Sequence, residues 1–222
     1  MIKNFTIFGE RCSGTNFLEK SIIENFEIDI TWKYGWKHFF GHHNFTNDNE
    51  EDETLFICII RDPIDWINSL LIDKHHMPKE NIKDINTFLF NTFYSVKNID
   101  TNEEILEDRN MITKQRYKNI FELRKVKNDF LIIKLPKLVK NYVIIKYEDL
   151  RDNFYNVMYY LQINFNLIKK NDVFFKSIKY YNGWKESDKY YEKKDIKLND
   201  FIINILINNL DVHQENILNY LI

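Results

Sequence analysis

The chain has 222 residues, of which 44% are hydrophobic and 29% charged, a balance typical of folded globular proteins and not of disordered or fibrous ones. Its 31 Lys and Arg residues nearly balance its 33 Asp and Glu residues, and the formal charge of −2 excludes nucleic-acid binding through a general positive field. No apolar run approaches the ~18 residues of a membrane span, and the N-terminal run is too short for a signal peptide. We therefore expect a single cytoplasmic domain over residues 1–222, with neither a membrane nor a nucleic-acid partner.

The N-terminal half predicts two strand–turn–helix units. A short apolar segment precedes a glycine-bearing loop and a stretch with apolar residues at helical spacing. The later run Thr54–Ile60 is continuously apolar, which indicates a central parallel strand covered on both faces. Asp62 and Pro63 then provide the N-cap and first residue of a helix. The predicted elements are strands at 3–8, 28–33 and 54–60 and helices at 16–26 and from 63 to about residue 75.

The second half continues the alternation of strands and helices. Its predicted elements are helices at 83–97 and 111–126, strands at 130–135 and 142–147, a helix at 149–161, a polar loop at 179–195 and a mostly helical segment at 198–222. This alternation predicts an α/β fold of three layers, in which helices flank a mainly parallel central sheet.

The two cysteines, Cys12 and Cys58, indicate neither a disulfide framework nor structural zinc, because they lack C-x-x-C spacing or Cys/His clustering. Cys12 also lacks the C-x5-R pattern of cysteine phosphatases, since position 18 is Leu18. We interpret both as reduced thiols, with Cys12 a small loop residue, and we predict no metal site.

The loop between the first strand and the first helix is the first candidate site. Residues 9–16 have the G-x-x-x-x-G spacing of the nucleotide P-loop, where backbone amides and the helix dipole bind anions. Thr15-Asn16 replaces the expected Lys-[Ser/Thr], which argues against an ordinary ATPase or GTPase. The loop could bind a smaller anion, with charge from Arg11 and hydrogen bonds from Ser13, Thr15 and Asn16. The alternative is a plain strand-to-helix turn.

A second loop, after the predicted central strand, supports the interpretation of the first loop as an anion-binding site. Arg61 ends the central strand and Ser69 follows two helical turns later, so both side chains can converge on one phosphate. The alternative is that Arg61 caps the strand and Ser69 is a surface residue. The segment Arg11-Cys-Ser-Gly-Thr-Asn16 resembles the 5′-phosphosulfate loop of sulfotransferases, and Arg61–Ser69 resembles their 3′-phosphate motif.

Three weaker similarities to the same family follow in the family's order. They are Lys146–Leu150, which resembles Tyr-Glu-Asp-Leu, Gly183-Trp184-Lys185, which resembles Gly-x-Trp-Lys, and Glu215–Tyr220, which resembles Glu-x-x-Leu-Gly-Tyr. Within the first of these, Tyr147 and Leu150 suit the core better than the site. Together the similarities span nearly the whole chain.

The resemblance implies a P-loop-like sulfotransferase fold and the donor 3′-phosphoadenosine 5′-phosphosulfate, whose sulfuryl group moves to a hydroxyl or amine of an acceptor without a metal. The expected partners are this nucleotide, its product 3′-phosphoadenosine 5′-phosphate and the acceptor. The residues implied in nucleotide binding are Arg11, Cys12, Ser13, Gly14, Thr15, Asn16, Arg61, Ser69, Trp184 and Lys185, with Phe17 a candidate for stacking on adenine or, equally, a core residue.

Many relatives use as general base a His that lies between the two phosphate motifs. His38, next to Lys37 in a loop between Gly35 and Gly41, is in that interval, with His42 and His43 as competitors. Some relatives use a Glu on the first helix, which corresponds here to Glu19. A histidine base predicts a rate that falls as pH drops through about 6.5.

The chain departs from the family where the catalytic Lys precedes Ser-Gly-Thr, because Cys12 occupies that position and the cation Arg11 stands one residue earlier. Either Arg11 reaches the phosphosulfate bridge or Lys37 takes that role. Two alternative functions remain open: a P-loop-type nucleotide or small-molecule kinase, and a catalytically inactive nucleotide-binding module.

Overall fold

A parallel sheet lies at the centre of the protein. The structure, a computed structural model, describes residues 1–46, 48–74, 76–176, 179–182, 185–190 and 198–220. In these ranges the sheet has four strands in the order β2-β1-β3-β4, and every neighbouring pair is parallel. The strands are β1 (Asn4–Phe8), β2 (Asp29–Ile30), β3 (Thr54–Ile60) and β4 (Asn141–Lys146). The predicted α/β class with a parallel central sheet is confirmed.

Helices connect and flank these strands. They are α1 (Thr15–Asn25), α2 (Asn49–Asp52), α3 (Pro63–Ile72), α4 (Ile85–Phe90), α5 (Ile120–Asp129), α6 (Tyr147–Asp152), α7 (Phe154–Phe165), α8 (Asp200–Asn209) and α9 (Val212–Ile217). Single 3-10 turns occur at Lys79–Ile82, Leu106–Asp108 and Leu135–Lys137. An antiparallel hairpin of β5 (Lys179–Asn182) and β6 (Lys185–Tyr190) occupies part of the region for which a loop is predicted.

The central strand β3 is buried on both faces, as its continuous apolarity predicts. Leu55, Ile57 and Ile59 pack in a cluster that includes Leu18 of α1 and Leu161 of α7. The alternate residues of β3 belong to a second cluster on the other face, together with residues of α3 and α5; they are Phe56, Cys58 and Ile60. The fold therefore has three layers, with the sheet between two layers of helices.

The strand order places the two candidate loops side by side. After β1 the chain crosses to β2 at one edge, and it then returns to β3 on the other side of β1. Phe8 pairs with Cys58, so the carboxyl ends of β1 and β3 are neighbours. In open α/β sheets the crevice beside such a reversal of strand order is where ligands bind. Gly9 and Arg61 directly follow β1 and β3, so they lie where the topology predicts such a crevice.

The predicted strand at 130–135 is wrong. Phe130–Lys134 forms a π-helical turn that continues α5, and a 3-10 turn containing Pro136 ends it. Ile133 is 42% exposed, so the apolar run is not covered on both faces as a central strand would be. A short apolar run cannot by itself distinguish a buried strand from a buried helix.

Other boundaries also differ from the prediction. The helices predicted at 83–97 and 111–126 are shorter in the structure, where they correspond to α4 and α5. In the second case Asn119 caps α5, and the chain before it is irregular. The helix predicted at 149–161 is divided at Asn153 into α6 and α7. The segment 198–222 contains α8 and α9, and the strand predicted at 28–33 has only the two residues of β2.

The packing of α7 on the sheet gives a direct test of this architecture. Leu161 is fully buried, whereas Ile163 on the same helix is 72% exposed. We expect Leu161→Ala to lower the free energy of unfolding by about 2–5 kcal/mol, because it leaves a cavity in the core. Ile163→Ala should change it by no more than about 0.5 kcal/mol. Urea unfolding of both variants measures the difference, and equal losses would contradict the assigned face of α7.

Candidate functional site

The loop after β1 has an unusual backbone conformation. Cys12 and Gly14 both have positive φ, of 63° and 92°. A Cβ on Gly14 would lie 2.4 Å from Cδ2 of Tyr147, so only glycine fits there. Gly14 is also the N-cap of α1, and no described side chain caps that helix. Among the described residues the first backbone amides of α1 thus have no side-chain cap, an arrangement that also occurs at anion-binding helix termini.

The structure brings the two predicted phosphate motifs together. Arg61 Nη1 donates a hydrogen bond of 2.9 Å to the carbonyl oxygen of Cys12, and the Ser69 hydroxyl bonds to the Cys12 thiol. The Arg61 guanidinium also lies 4.4 Å from the centre of the Tyr147 ring. Its Nε is buried without a hydrogen-bond partner among the described residues. A buried donor of this kind is costly unless a ligand pairs with it.

The Cys12 thiol is not a nucleophile in this setting. Burial raises the pKa of Cys12 to about 12, and the negative charge of Asp73 adds to the effect. The thiol therefore stays protonated at neutral pH, and its role is to contact Ser69 and shape the loop.

His38 and Lys37 lie against the end of β1. The Gly9 amide donates to the Lys37 carbonyl at 3.0 Å, and His38 Nδ1 donates to the Gly9 carbonyl at 2.8 Å. In the neutral ring this bond leaves Nε2 as the proton acceptor. Burial, followed by the nearby Arg11 charge, lowers the pKa of His38 well below its usual value. His38 is therefore uncharged at neutral pH.

Lys37 provides a cation beside the start of α1. Its Nζ donates to Asn16 Oδ1 at 2.5 Å and forms an ion pair with Glu19 Oε2 at 2.9 Å. The Trp36 ring lies 5.3 Å from the same ammonium. Lys37, Asn16 and Glu19 thus meet at the helix end that faces the crevice.

Arg11 enters a buried ionic cluster, which we call the Asp108 cluster and which contains Glu10, Arg11, Asp108 and Lys127. Arg11 Nη1 and Lys127 Nζ each lie 2.5 Å from a different oxygen of Asp108. Lys127 also pairs with Glu10 and donates to the His38 carbonyl at 2.9 Å. None of the four side chains is more than 10% exposed, and their charges balance. The two cations hold the pKa of Asp108 far below its usual value, although burial alone would raise it.

Two of the weaker motifs, Lys146–Leu150 and Glu215–Tyr220, hold the second loop in place. Glu148 accepts hydrogen bonds from the Asp62 amide at 3.0 Å and from the Tyr220 hydroxyl at 2.9 Å. Glu215 forms a bidentate pair with Arg124, and Arg124 Nη2 donates to the Arg61 carbonyl at 3.1 Å. Residues from the end of the chain therefore fix the turn that carries Arg61.

The three candidate histidines are separated by the fold, whereas Glu19 pairs with Lys37, the neighbour of His38. Of the histidines, His38 is the one bonded to the loop after β1. His42 bonds to Lys114 at 3.1 Å, and His43 lies 3.5 Å from Glu51, which precedes the opposite end of β3.

The other predicted residues have varied positions. Phe17 packs against Phe154 in the core, with 6.3 Å between ring centres, and Ser13 and Thr15 are buried in the loop. Lys185 begins β6, and Trp184 lies outside the described residues.

Asp108 and Lys127 are the site residues that sequence reasoning missed. Asp108 pairs with a residue 97 positions away and lies in an irregular polar region, so no local pattern marks it. Lys127 could have been noticed, because it stands three residues after Arg124 on the same face of α5 as apolar Leu123. A cation at such a position needs a buried partner.

Comparison of the chain with protein-family models, curated proteins and solved structures gives no match. Within the described ranges no helix has both the length and the apolarity needed to span a membrane. The same ranges hold no cluster of three or more His, Cys, Asp or Glu side chains arranged to bind a metal. The site must therefore be interpreted from its own geometry.

The Asp108 cluster predicts a large loss of stability when its central anion is removed. We expect Asp108→Asn to lower the free energy of unfolding by about 3–5 kcal/mol, because two buried cations lose their shared partner. The exposed Asp100, which pairs with Lys79 at 3.5 Å, is the matched control. Asp100→Asn should cost no more than about 1 kcal/mol.

The same pair of variants has a pH signature. The pKa of Asp108 is lowered in the folded state, so the unfolded chain binds the proton first as pH falls below about 3.9. The stability that Asp108 contributes is thus complete above that pH and is lost in more acid solution. Urea unfolding at several pH values should show a flatter acid limb for Asp108→Asn than for Asp100→Asn, and parallel limbs would contradict the cluster.

Proposed function

We propose that the protein is a sulfotransferase that binds 3′-phosphoadenosine 5′-phosphosulfate and transfers its sulfuryl group to a hydroxyl or amine. The observation that carries the proposal is the convergence of the two phosphate motifs at the crevice between β1 and β3. Arg61 and Ser69 both bond to Cys12, in the middle of the first loop. Two sequence segments about fifty residues apart, each similar to a phosphate motif of one family, thus contribute to a single site.

The charges and donors of the crevice suit a nucleotide with phosphates at both ends. Arg61 offers a buried Nε that has no hydrogen-bond partner among the described residues, and Ser69 adds a hydroxyl, which together match a 3′-phosphate. The amino end of α1, with Lys37 beside it, matches the 5′-phosphosulfate. The two loops follow adjacent strands, which supports a single nucleotide that contacts both.

The transfer itself follows from the positions of His38 and Lys37. His38 Nε2 takes the proton of the acceptor hydroxyl while the acceptor oxygen forms its bond to sulfur. The bond between sulfur and the bridging phosphate oxygen breaks, and its electron pair stays on the phosphate. Lys37 and the α1 amides stabilise that negative charge. Protons and charges balance without a metal.

Between the two cations considered for this step, the contacts favour Lys37. The Arg11 guanidinium is held by Asp108 inside the Asp108 cluster, whereas Lys37 Nζ, which pairs with Glu19, lies at the start of α1 beside Asn16. In this proposal Arg11 fixes the loop, and Lys37 supplies the charge that the family's loop lysine supplies elsewhere.

The second candidate is a nucleotide-binding module without catalysis. The observation in its favour is that the Arg11 side chain is bonded to Asp108. Arg11 therefore does not supply the positive charge that the sequence predicts for the first loop. Transfer of radiolabelled sulfate from the donor to a panel of hydroxyl and amine acceptors distinguishes the two. Binding of the donor without transfer to any acceptor would favour the module.

The first test concerns the nucleotide. We expect 3′-phosphoadenosine 5′-phosphate to stabilise the protein by about 2.7 kcal/mol at a hundredfold excess over its dissociation constant, and ADP, which lacks the 3′-phosphate, to stabilise it less. Arg61→Ala should weaken the 3′-phosphorylated nucleotide by about 2 kcal/mol or more, and Ser69→Ala should weaken it less. Thermal unfolding and calorimetric titration measure both effects.

Arg151 is the matched control for Arg61, because its guanidinium also lies near the Tyr147 ring, at 5.7 Å, but pairs with Asp152 at the surface. Arg151→Ala should leave nucleotide affinity unchanged. Equal stabilisation by ATP with magnesium would instead support a P-loop-type kinase.

The second test concerns the base. His38→Ala should reduce turnover by about 10²–10⁴-fold and leave affinity for 3′-phosphoadenosine 5′-phosphate unchanged, whereas His43→Ala should have no effect. Because the pKa of His38 is lowered, the rate should hold at pH 6.5 and fall only in distinctly more acid solution. This corrects the sequence-based expectation of a fall near 6.5. Full turnover by His38→Ala, with loss in Glu19→Gln, would assign the base to Glu19.

A further inference from the structure

An open groove of about 660 Å³ lies beside the candidate site, between the loop at 35–42 and the segment at 106–114. This is the size of cavity that binds small organic molecules. Its apolar lining comes from Trp36, Phe39 and Leu106, and Leu106 is 60% exposed. None of these side chains is assigned a part in nucleotide binding.

Direct contacts join the two segments that form the walls of the groove. A Cβ on Gly41, where φ is 86°, would lie 2.4 Å from Sδ of Met111, so the two walls are in close contact. The His42 ring bridges them, because it bonds to Lys114 Nζ at 3.1 Å and to the Arg109 backbone. A preformed groove binds its ligand at a lower cost in conformational entropy than a mobile one.

The two aromatic rings of the lining are also held in place. Trp36 packs against Trp32, with 4.6 Å between ring centres, and Phe39 lies 5.3 Å from the Arg11 guanidinium. Phe39 thus connects the groove to Arg11 of the loop after β1. A flat molecule can stack on such a surface with little rearrangement.

The cations that line the groove differ in whether their bonded partner carries a negative charge. Arg109 is paired with Glu104 at 2.9 Å. Lys114 is bonded to the imidazole of His42, a neutral partner because burial and the Lys114 charge lower the pKa of His42. The Lys114 end of the groove therefore attracts an anion. Glu107 lines the same groove and can accept a hydrogen bond from a hydroxyl or amine.

We propose that this groove binds a flat ring compound that carries one anionic group, at Lys114, and one hydroxyl or amine, at Glu107. The binding of such a hydroxy or amino acid is independent of the sulfotransferase proposal. Its assignment as the acceptor, in which the bound hydroxyl or amine is a group that can be sulfated, rests on that proposed function.

The test uses 4-hydroxycinnamate as the probe, with its neutral methyl ester and with cinnamate, which lacks the hydroxyl, as matched ligands. Calorimetric titration of the nucleotide-free protein should give a dissociation constant about tenfold lower for 4-hydroxycinnamate than for the ester, a difference of about 1.4 kcal/mol. Lys114→Gln should abolish that preference, and Glu107→Gln should abolish the smaller preference over cinnamate.

Two control variants match the exposure of the groove residues. Lys118 is an exposed lysine outside the groove, and Lys118→Gln should retain the preference. Ile112, 59% exposed, serves the same purpose for Leu106: Leu106→Glu should weaken the probe about tenfold and Ile112→Glu should not. Failure of all three ligands to bind, or equal effects of Lys114→Gln and Lys118→Gln, would overturn the proposal.

These outcomes are separate from those for the nucleotide. Loss of the probe with retained, Arg61-dependent binding of 3′-phosphoadenosine 5′-phosphate would refute the groove alone. Binding of the probe without any nucleotide binding would refute the sulfotransferase proposal alone.

Discussion

The shared carboxylate of Asp108 is the interaction on which the candidate site depends. It binds Arg11 of the loop after β1 and Lys127 of α5, and Lys127 in turn holds the His38 carbonyl. One anion thus fixes the positions of the loop after β1 and of the candidate base. Buried ion pairs gain little net stability over apolar packing, so the consequence of this arrangement is a defined geometry more than a stronger core.

A second set of contacts fixes the other side of the crevice. Tyr147 contacts both Gly14 and Arg61, and the next residue, Glu148, joins the Asp62 amide to the Tyr220 hydroxyl. Short motifs that are weak evidence individually therefore form one connected unit around the end of β3. Their common purpose is to hold the Arg61 turn against the loop after β1.

The sequence predicted those parts of the structure that depend on local patterns. The run Thr54–Ile60 is a buried strand because its continuous apolarity suits both faces of a central position. The hydrogen bond from Arg61 to the Cys12 carbonyl was not predicted, although the parallel pairing of β1 with β3 explains why the two loops are neighbours.

Features that depend on contacts between residues far apart in the sequence could not be predicted from local patterns. Phe130–Lys134 has the apolarity of a strand but continues α5, since the decision depends on which neighbour covers it. Arg11 bonds to Asp108 and does not supply charge to the crevice. Its partner is 97 residues away, and no spacing rule identifies it.

The distances along the chain between the bonded partners have a kinetic consequence. The hydrogen bond from Asp62 to Glu148 spans 86 residues, and the pair of Arg124 and Glu215 spans 91. Proteins dominated by such non-local contacts fold slowly, because loop closure must precede the contacts that stabilise it. During synthesis, the loops after β1 and β3 leave the ribosome long before α9 does. The contacts that fix the Arg61 turn can therefore form only after Glu148 and Glu215 have been synthesised.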